Sequence, residues 1–528
     1  MTAGAGKTTQ LIQDVLDLLK QGVNLREILI LSFSRATVTE VKERLRAKMT
    51  YLSDPDWSVA SHNIRTQHSL CWGGMRSDFE LMSGDQVNLF SKAYGYRISS
   101  KYANPNPDDF YNSMFSDTGF IQSDDDKAFF QINLNRMRLL PPETGLNYEG
   151  EKAIAKRMHT DFECFKAIHG WTDFTGMIEH GIRKRITPEG IRYILVDEAQ
   201  DMCQLLYEYH KVLYAENPQA EVTWYGDEDQ CIYEFMGADP SIFVQQAAAE
   251  TVFGETSHRL PLAVSTLANA YISKNKNRLP KNITGQDKPG DVLRATGKEE
   301  TAREVSRTST GHVLWLCPTN AQVNRTKTWL LSEGYPLKLT LEEKQAVDAL
   351  KFILSKPKRL KQADLRLLTE STLDGKKLLP FTKEWWPEPH KMSKQVKAWI
   401  AGTDDIGVTG LTVEDSRLSP RFQALLASGS IDDLFIHSPD RLTLAKSCVE
   451  ASDQPYWIEV TTYHKSKGRE ADTVVVLKDV AGKMLSSILW DPEAGRRAGF
   501  VAMTRTKHRL IMYRDDYDRC RDWYGVTQ

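Results

Sequence analysis

A short apolar run that ends in two carboxylates constrains the fold of this chain more than any other stretch. Residues 193–196 read Tyr-Ile-Leu-Val, and Asp197 and Glu198 follow directly. Such a run is typical of a strand that is buried on both faces of a parallel sheet. Ligands bind at the carboxyl ends of these strands. We therefore expect an α/β sheet, with an Asp that can hold Mg²⁺ and a Glu that can polarise a water. A cap for the next helix is the plainer alternative.

The first residues of the chain supply a second half for such a site. Gly6, Lys7 and Thr8 match the end of the phosphate loop G-x-x-x-x-G-K-[ST]. There, backbone N–H groups close around phosphate oxygens, the lysine reaches the β/γ-phosphates and the hydroxyl ligates Mg²⁺. Apolar residues at helical spacing between positions 11 and 19 predict the helix that follows. A loop lysine and a strand-end aspartate together predict a Mg-nucleotide site.

The loop departs from its pattern at one point. Its first glycine would fall at position 1, where Met1 stands, and the strand that normally feeds the loop is absent. That strand would lie in the middle of the sheet. We expect either that the chain is truncated at its N-terminus or that another segment fills the place.

Composition limits the class of protein only loosely. The 528 residues contain 68 Lys and Arg against 70 Asp and Glu, and such a balance neither favours nor excludes a nucleic-acid groove. The seven cysteines have no metal-ligand spacing, which indicates reduced thiols in a cytosolic protein. No apolar run is long enough to span a membrane and no signal peptide is recognised, so we expect a cytoplasmic protein without a membrane partner.

The order of the predicted elements indicates two α/β domains, each interrupted by a mainly helical insertion. Their ranges are 1–75 and 181–262 for the first domain, 76–180 for its insertion, 263–340 and 452–528 for the second domain, and 341–451 for its insertion. A basic run at 356–361 in the second insertion could touch duplex DNA, although a solvated helix end is the simpler interpretation.

Several polar and aromatic residues stand at predicted strand ends. Gln230 follows a strand and could sense a γ-phosphate, and Arg505, near the end of a late helix, predicts an arginine finger. Phe33, Tyr233 and Phe235 are candidates for stacking nucleic-acid bases, with core packing as the alternative. Thr66 and His68 could contact a phosphate, although a structural role is the simpler interpretation of His68.

Four motifs occur in a fixed order: D-E-A-Q-D at 197–201, G-D-x-D-Q-x-I-Y at 226–233, T-x-H-x-x-K-G-x-E at 462–470 and V-A-x-T-R at 501–505. With the loop, they resemble the UvrD/Rep family of superfamily-one DNA helicases over nearly the whole chain. The resemblance implies two RecA-like, parallel-sheet P-loop NTPase domains with the nucleotide between them and single-stranded DNA bound across both. It also implies ATP and Mg²⁺ as cofactors, single-stranded DNA and single/double-strand junctions as partners, and the cytoplasm of a bacterium or a phage-infected cell as the location.

The resemblance assigns roles to the matching residues. It implies nucleotide contacts at Gly4, Ala5, Gly6, Lys7, Thr8, Thr9 and Glu470, the last to the ribose. It implies metal ligation by Thr8 and Asp197. The catalytic set is Lys7, Asp197, Glu198, Gln230, Arg259 and Arg505, with Glu198 orienting water and the last three contacting the γ-phosphate. The implied DNA groove contains Phe33, Thr66, His68, Tyr233, Phe235, Thr462 and His464.

Some positions depart from the family pattern. The segment that reads adenine is missing, so selectivity for adenine is an open question. Met236 stands where the family usually has an arginine, which predicts weaker coupling between DNA and nucleotide. Ser257-His258-Arg259 replaces the commoner Asn-Tyr-Arg but keeps the arginine.

The leading hypothesis is an ATP-driven translocase on single-stranded DNA that unwinds duplex in repair, replication or recombination. Movement from 3′ to 5′ rests on the resemblance alone. One alternative is a translocase that strips proteins from DNA without unwinding it. Another is a DNA-binding protein that keeps the fold but does not hydrolyse ATP, against which the intact Lys7, Asp197, Glu198, Gln230 and Arg505 argue.

Overall fold

The computed structural model describes most of the chain. It covers residues 1–51, 53–98, 123–246, 250–308, 311–335, 337–339, 341–360, 457–480, 488–515 and 521–526, with residue 485 and short pieces between 364 and 449. Two compact units are present: Met1–Thr310 with Leu316–Ala321 and Thr461–Gln528, and Gly311–Trp315 with Gln322–Val460. The four-part division predicted from the sequence has different boundaries from these two units and stays a prediction.

The described helices are α1 (Lys7–Lys20), α2 (Arg35–Lys48), α3 (Asp54–Ala60), α4 (Gln67–Gly73), α5 (Gly84–Tyr94), α6 (Asp124–Arg138), α7 (Glu149–His169), α8 (Phe174–Arg183), α9 (Gln204–Glu216), α10 (Pro240–Val244), α11 (Leu262–Ile272), α12 (Gly297–Thr308), α13 (Asn320–Ser332), α14 (Leu341–Leu354), α15 (Pro420–Ser428), α16 (Pro492–Met503) and α17 (Trp523–Val526).

The described strands are β1 (Ile28–Ser32), β2 (Ile64–Thr66), β3 (Glu80–Leu81), β4 (Trp171–Thr172), β5 (Tyr193–Val196), β6 (Glu221–Trp224), β7 (Thr256–Pro261), β8 (Thr284–Gln286), β9 (Asp291–Thr296), β10 (Val313–Cys317), β11 (Arg359–Leu360), β12 (Thr372–Leu373), β13 (Lys376–Lys377), β14 (Leu411–Thr412), β15 (Ile458–Thr462), β16 (Ala471–Leu477), β17 (Asp479–Val480), β18 (Thr506–Arg514) and β19 (Arg521–Asp522).

The first sheet of the first unit is parallel, as the apolar runs predict. Its order is β2-β1-β5-β6, and Leu31 of β1 pairs with Val196 of β5. All five residues of β1 are buried. The last strand is more open, since Val222 is 41% exposed. Among the described residues, no strand of this sheet pairs with the outer side of β6.

Helices cover both faces of this sheet, and the apolar sides of these helices are buried against the strands. Leu11, Ile12 and Val15 of α1 are buried against Ile28 and Ile30 of β1. On the other face, residues of α4, α8 and α9 pack on β5. The apolar stripe between residues 11 and 19 therefore forms the helix that it predicts.

Residues 76–180 contain the helices α5, α6 and α7, with a core rich in aromatic side chains. Phe90 contacts Phe129 and Phe162, with ring centroids 6.3 and 5.1 Å apart. Ser123 caps α6, so the acidic run that follows it is the start of a helix. Acidic residues are favourable there because they face the positive end of the helix dipole.

The first unit also contains the parallel strands β9, β18 and β16. Met512 of β18 pairs with Arg294 of β9 on one side and Val476 of β16 on the other. The helix α16 leads into β18, and Phe500, Val501 and Met503 at its end are buried. The α/β class expected from the sequence is confirmed.

The second unit contains most of α13, the helices α14 and α15, and the first three residues of each of the neighbouring strands β10 and β15. In it, Leu350, Ile353 and Leu426 are buried. Most of the predicted second insertion lies outside the described residues, as does Lys361 of the basic run. No helix among the described residues has the length and apolar character that a membrane crossing requires.

Candidate functional site

The N-terminal loop and the start of α1 present a cradle of backbone groups. Gly4 and Gly6 have φ angles of 75° and 80°, in the left-handed region that favours glycine. Lys7 and Thr8 begin the helix, and no side chain caps its first N–H groups. Free N–H groups at a helix start favour an anion. Ala5 donates its N–H to the Thr2 carbonyl, and Thr9 lies exposed on the helix.

The loop packs tightly against β7. A Cβ on Gly4 would lie 2.5 Å from the hydroxyl oxygen of Ser257 and 2.9 Å from Cβ of Arg259. The N–H of His258 donates to the Gly4 carbonyl at 2.9 Å. Only glycine allows this approach, which brings Arg259 to the loop.

The acidic pair lies at the carboxyl end of β5, as the sequence predicts. The N–H of Asp197 donates to the Leu31 carbonyl at 2.8 Å, which extends the pairing with β1. One carboxylate oxygen of Asp197 accepts the N–H of Glu198 at 2.9 Å. The other is buried and has no hydrogen-bond partner among the described residues. Glu198 has a φ angle of 53°, a strained conformation for a side chain of this kind, and such strain is common at functional sites.

The pKa values of the two carboxylates in this pair are shifted in opposite directions. Burial, and then the charge of Glu198, raise the pKa of Asp197 to about 7, while Lys7 acts in the opposite direction. Burial alone would raise the pKa of Glu198, but Lys467 and then Lys7 outweigh it and hold that pKa below its usual value. Lys7 therefore lies within electrostatic reach of both carboxylates.

The residues present fit Mg²⁺. A buried carboxylate oxygen without a donor is what a hard cation would satisfy, and Asp197 supplies one. Among the described residues, no group of three or more His, Cys, Asp and Glu side chains could hold a metal alone. Mg²⁺ in nucleotide sites needs only one or two carboxylates besides phosphate and water. Thr8, the second residue of α1, would be the hydroxyl ligand.

Gln230 and Arg505 meet directly. The side-chain oxygen of Gln230 accepts a hydrogen bond from Nη2 of Arg505 at 3.0 Å. Its amide donates to the carboxylate of Asp227 at 2.5 Å. Arg505 is 2% exposed, and its Nε donates to the Val501 carbonyl at 2.9 Å. Burial, and then Arg259, lower the pKa of Arg505 to about 9, so the guanidinium is charged at neutral pH.

Arg259 and Glu470 form an ion pair near the same place. Nε of Arg259 lies 2.8 Å from the Glu470 carboxylate, and its Nη1 donates to the Thr504 carbonyl at 3.1 Å. Lys507 contacts the other Glu470 oxygen at 2.7 Å. The two residues predicted to contact the γ-phosphate and the ribose are thus paired with each other.

A second acidic group follows β6, and sequence reasoning gave it no partner. We call Asp227, Glu228 and Asp229 the closed cluster, because each of the three carboxylates is paired with a basic side chain. Nζ of Lys281, whose side chain is 2% exposed, lies 2.9 Å from Asp227 and contacts Glu228. Arg278 donates to both oxygens of Asp229 at 3.0 and 2.8 Å. The pairs lie about fifty residues apart, so no local pattern reveals them.

Four predicted DNA-groove residues form one aromatic cluster. Phe33 and Tyr233 are stacked, with centroids 6.0 Å apart and planes at 14°. Tyr233 also contacts Phe235 at 6.3 Å. The His464 ring lies 5.3 Å from Phe235, edge to face. Burial lowers the pKa of His464 to about 4, so this ring is neutral at pH 7 and offers a stacking face rather than a charge.

The other three predicted DNA residues are Thr66, Thr462 and His68. The hydroxyl of Thr66 accepts the N–H of Ser69 at 3.2 Å and caps α4. The hydroxyl of Thr462 accepts the N–H of Lys465 at 3.3 Å. Burial lowers the pKa of His68 to about 4. His68 lines, with Phe33 and Tyr233, a cavity of about 160 Å³ that extends to the insertion helices.

Comparison with known proteins finds one family. Residues 2–249 match the model of the UvrD/REP helicase N-terminal domain. This match covers slightly less than half of the chain, and it shows similarity to the UvrD/Rep helicase family. Its similarity to the family's curated members is distant but extends beyond the matched domain, since one alignment covers 63% of the chain.

Three relatives of the family illustrate the distance. The chain is 24% identical over 304 residues to the putative ATP-dependent DNA helicase YjcD of Bacillus subtilis, 53% of this chain and 37% of that protein. It is 23% identical to the ATP-dependent DNA helicase UvrD1 of Mycobacterium leprae over 55% of this chain and 39% of that protein. It is 25% identical to the ATP-dependent DNA helicase PcrA of Bacillus subtilis over 63% of this chain and 46% of that protein. The chain therefore spans less than half of each relative.

The motif at 462–470 contains Lys467, for which the sequence alone predicts no role. Nζ of Lys467 contacts the Asp201 carboxylate, lies 3.7 Å from Glu198 and sits 5.0 Å from the centre of the Tyr233 ring. The Lys467 ammonium group therefore lies close both to the acidic residues that follow β5 and to the aromatic cluster. The motif contained the signal, because the lysine is one of its fixed letters.

Proposed function

We propose that this chain is an ATP-dependent motor on single-stranded DNA that separates duplex strands. The observation that carries the proposal is the contact between Gln230, at the end of one sheet, and Arg505, which follows a helix beside another. Such a contact would make ATP turnover depend on how the two sheets lie, which is what a translocating ATPase of two RecA-like domains requires.

The N-terminal loop and Lys7 bind the phosphates in this proposal. Thr8 and Asp197 would hold Mg²⁺, which would neutralise negative charge on the bound phosphates. The Arg259–Glu470 pair opens so that Arg259 turns to the γ-phosphate and Glu470 to the ribose. Arg505 is already charged, buried and aimed at Gln230, so its donors are in place before charge develops on the phosphoryl group.

Hydrolysis follows an in-line course. Glu198 orients a water whose oxygen forms a bond to the γ-phosphorus as the bond to the β,γ-bridging oxygen breaks. The bridging electrons stay on ADP, and the proton of the water passes to Glu198 and then to solvent. The products are ADP and inorganic phosphate, so all atoms are accounted for.

Single-stranded DNA is proposed to lie over the aromatic cluster. Phe33, Tyr233, Phe235 and His464 offer neutral faces on which bases stack, worth about 1–3 kcal/mol per base. Alternating grip and release would move the strand, and 3′-to-5′ movement is proposed from the family resemblance. Repair, replication or recombination in the cytoplasm are the settings in which such a motor would act.

The first test measures ATP turnover with and without oligothymidylate. We expect Lys7→Ala and Glu198→Gln each to lower the stimulated rate by about a hundredfold or more. Lys20→Ala is the matched control, because that side chain lies on the same helix and is 71% exposed. A Lys7→Ala protein as fast as the parent would refute the assignment.

Three further readouts separate the alternatives. A forked duplex with a 3′ or a 5′ tail tests unwinding and its polarity. Release of streptavidin from a biotinylated strand without unwinding would favour the protein-stripping motor. Nucleotide binding without turnover in the parent would favour a DNA-binding protein that has lost hydrolysis.

A further inference from the structure

One segment carries both a predicted nucleotide contact and a predicted DNA contact. Residues 228–236 contain Gln230, which meets Arg505, and Tyr233, which stacks on Phe33. Only two residues separate Gln230 and Tyr233. A shift at one end of so short a segment therefore reaches the other end.

The far end of this segment is tied to α16 by a buried ion pair. The carboxylate of Glu234 accepts from Arg497 through both oxygens, at 2.5 Å from Nη2 and 3.2 Å from Nε. The Arg497 side chain is 3% exposed and that of Glu234 is 18% exposed. A two-point arginine–carboxylate pair fixes orientation as well as distance.

The same stretch of chain therefore holds the segment twice. Arg497 lies in the first half of α16, and Arg505 lies two residues after its end. One holds the segment beside Gln230 and the other holds it beside Glu234. Tyr233 lies between the two attachment points. A displacement of α16 must therefore carry the Tyr233 ring with it.

This arrangement changes the expectation drawn from Met236. The family usually has an arginine at that position, and its absence predicted weaker coupling between DNA and nucleotide. Here Arg497 reaches Glu234, two residues before Met236, from another helix. Arg138, at the end of α6, adds a hydrogen bond to the Glu234 carbonyl at 2.8 Å, so the segment is also tied to the first insertion.

We propose that the Glu234–Arg497 pair is the positioning element through which the nucleotide site and the aromatic cluster sense each other. The inference rests on the proposed function. Glu234 and Arg497 touch neither ATP nor DNA in it. They act by transmitting the position of α16 to Tyr233.

Coupling is measured by linkage, without hydrolysis. The Kd of a non-hydrolysable ATP analogue is determined with and without saturating oligothymidylate. We expect DNA to change that Kd by about tenfold in the parent and by less than about twofold in Glu234→Gln. The Kd for each ligand alone stays within about twofold of the parent value, which a general loss of structure would not allow. Arg496→Met, the neighbouring residue on α16, keeps the parent coupling.

Removing one member of a buried ion pair can unfold a protein, so a second variant is needed. Glu234→Met combined with Arg497→Met replaces both charges by apolar groups of similar size, which is often neutral for stability. We expect a parent-like Tm together with lost coupling. A double variant with parent-like Tm and parent-like coupling would overturn the inference.

The outcomes distinguish this inference from the proposed function. A parent that binds neither oligothymidylate nor the analogue overturns the proposed function, and the inference with it. A parent whose two ligands are coupled, with a Glu234→Gln variant coupled equally well, overturns the inference alone.

Discussion

Two buried acidic groups end neighbouring strands of the same sheet, and they differ in what surrounds them. Asp197 and Glu198 follow β5, and one Asp197 oxygen has no donor among the described residues. The closed cluster follows β6, and Lys281 and Arg278 contact its three carboxylates. Burial raises the pKa of Asp197 to about 7. Burial alone would also raise the pKa of Asp227, but Lys281, Lys7 and the N-terminal amine together outweigh it and lower that pKa well below its usual value.

This difference distinguishes a ligand-binding site, at Asp197 and Glu198, from a structural cluster of charges. A buried carboxylate without a counter-charge is unfavourable, and a fold keeps one when a ligand supplies the missing charge. The closed cluster already has its counter-charges, so we expect it to hold Gln230 in place through Asp227 rather than to bind a ligand. The two acidic groups should therefore respond differently when their charges or counter-charges are removed.

The largest effect is expected where the closed cluster loses its lysine. Lys281→Met leaves Asp227 and Glu228 buried without their shared ammonium group, and we expect the free energy of unfolding to fall by about 3–5 kcal/mol. Urea unfolding measures it. Lys276→Met is the control, because that side chain is exposed on the same segment. Equal stability of the two variants would show that the cluster is not held by charge.

The next effect separates activity from stability. In Asp197→Asn, turnover of ATP is expected to fall about a hundredfold, because the metal loses a charged ligand. The Tm should stay level or rise, since an unbalanced buried charge is removed. Asp227→Asn is the mirror experiment: it leaves Lys281 with less counter-charge, so its Tm should fall. Parallel Tm changes in the two variants would contradict the contrast between the two acidic groups.

A third buried group adds a pH dependence. His210 of α9 is buried, its ring lies 6.2 Å from Trp224 at the end of β6, and burial lowers its pKa to about 3. Above the ordinary histidine pKa near 6.5, neither the folded nor the unfolded chain is protonated there. Below it the unfolded chain takes a proton and the folded chain does not, so stability falls as pH drops from about 6.5 toward 3.

That loss should amount to about 2 kcal/mol at pH 5. His210→Phe keeps the ring and abolishes the titration, so the difference in unfolding free energy between about pH 7.5 and pH 5 should shrink by this amount. Unfolding in urea at both pH values provides the measurement. An unchanged difference would mean that another group controls the acid response.

Sequence reasoning worked where the signal is local. The strand β5 and the helix α1 follow from apolar spacing over a few residues, and the motifs placed Lys7, Asp197, Gln230 and Arg505 in one region before the structure did. It failed where partners are distant in sequence. No local pattern around Asp227 predicts its contact with Lys281, and none around Glu234 predicts its contact with Arg497. These pairs depend on the packing of elements that are distant in sequence. A motif match also does not show which contacts a residue makes in the fold, as Thr66 illustrates.

The smallest expected effect tests the role of Thr66. Thr66 was predicted to line the DNA groove, yet its hydroxyl accepts the N–H of Ser69 and caps α4. If the cap is its main role, Thr66→Ala lowers the free energy of unfolding by about 1 kcal/mol and Thr66→Ser restores most of it. The Kd for oligothymidylate should then be the same for Ala, Ser and the parent. Weaker binding of oligothymidylate by Thr66→Ala, with unchanged stability, would instead identify this hydroxyl as a DNA contact. A hydroxyl that already has a partner in the fold should contribute to the free energy of unfolding, whereas one that lacks a partner should contribute to the free energy of binding.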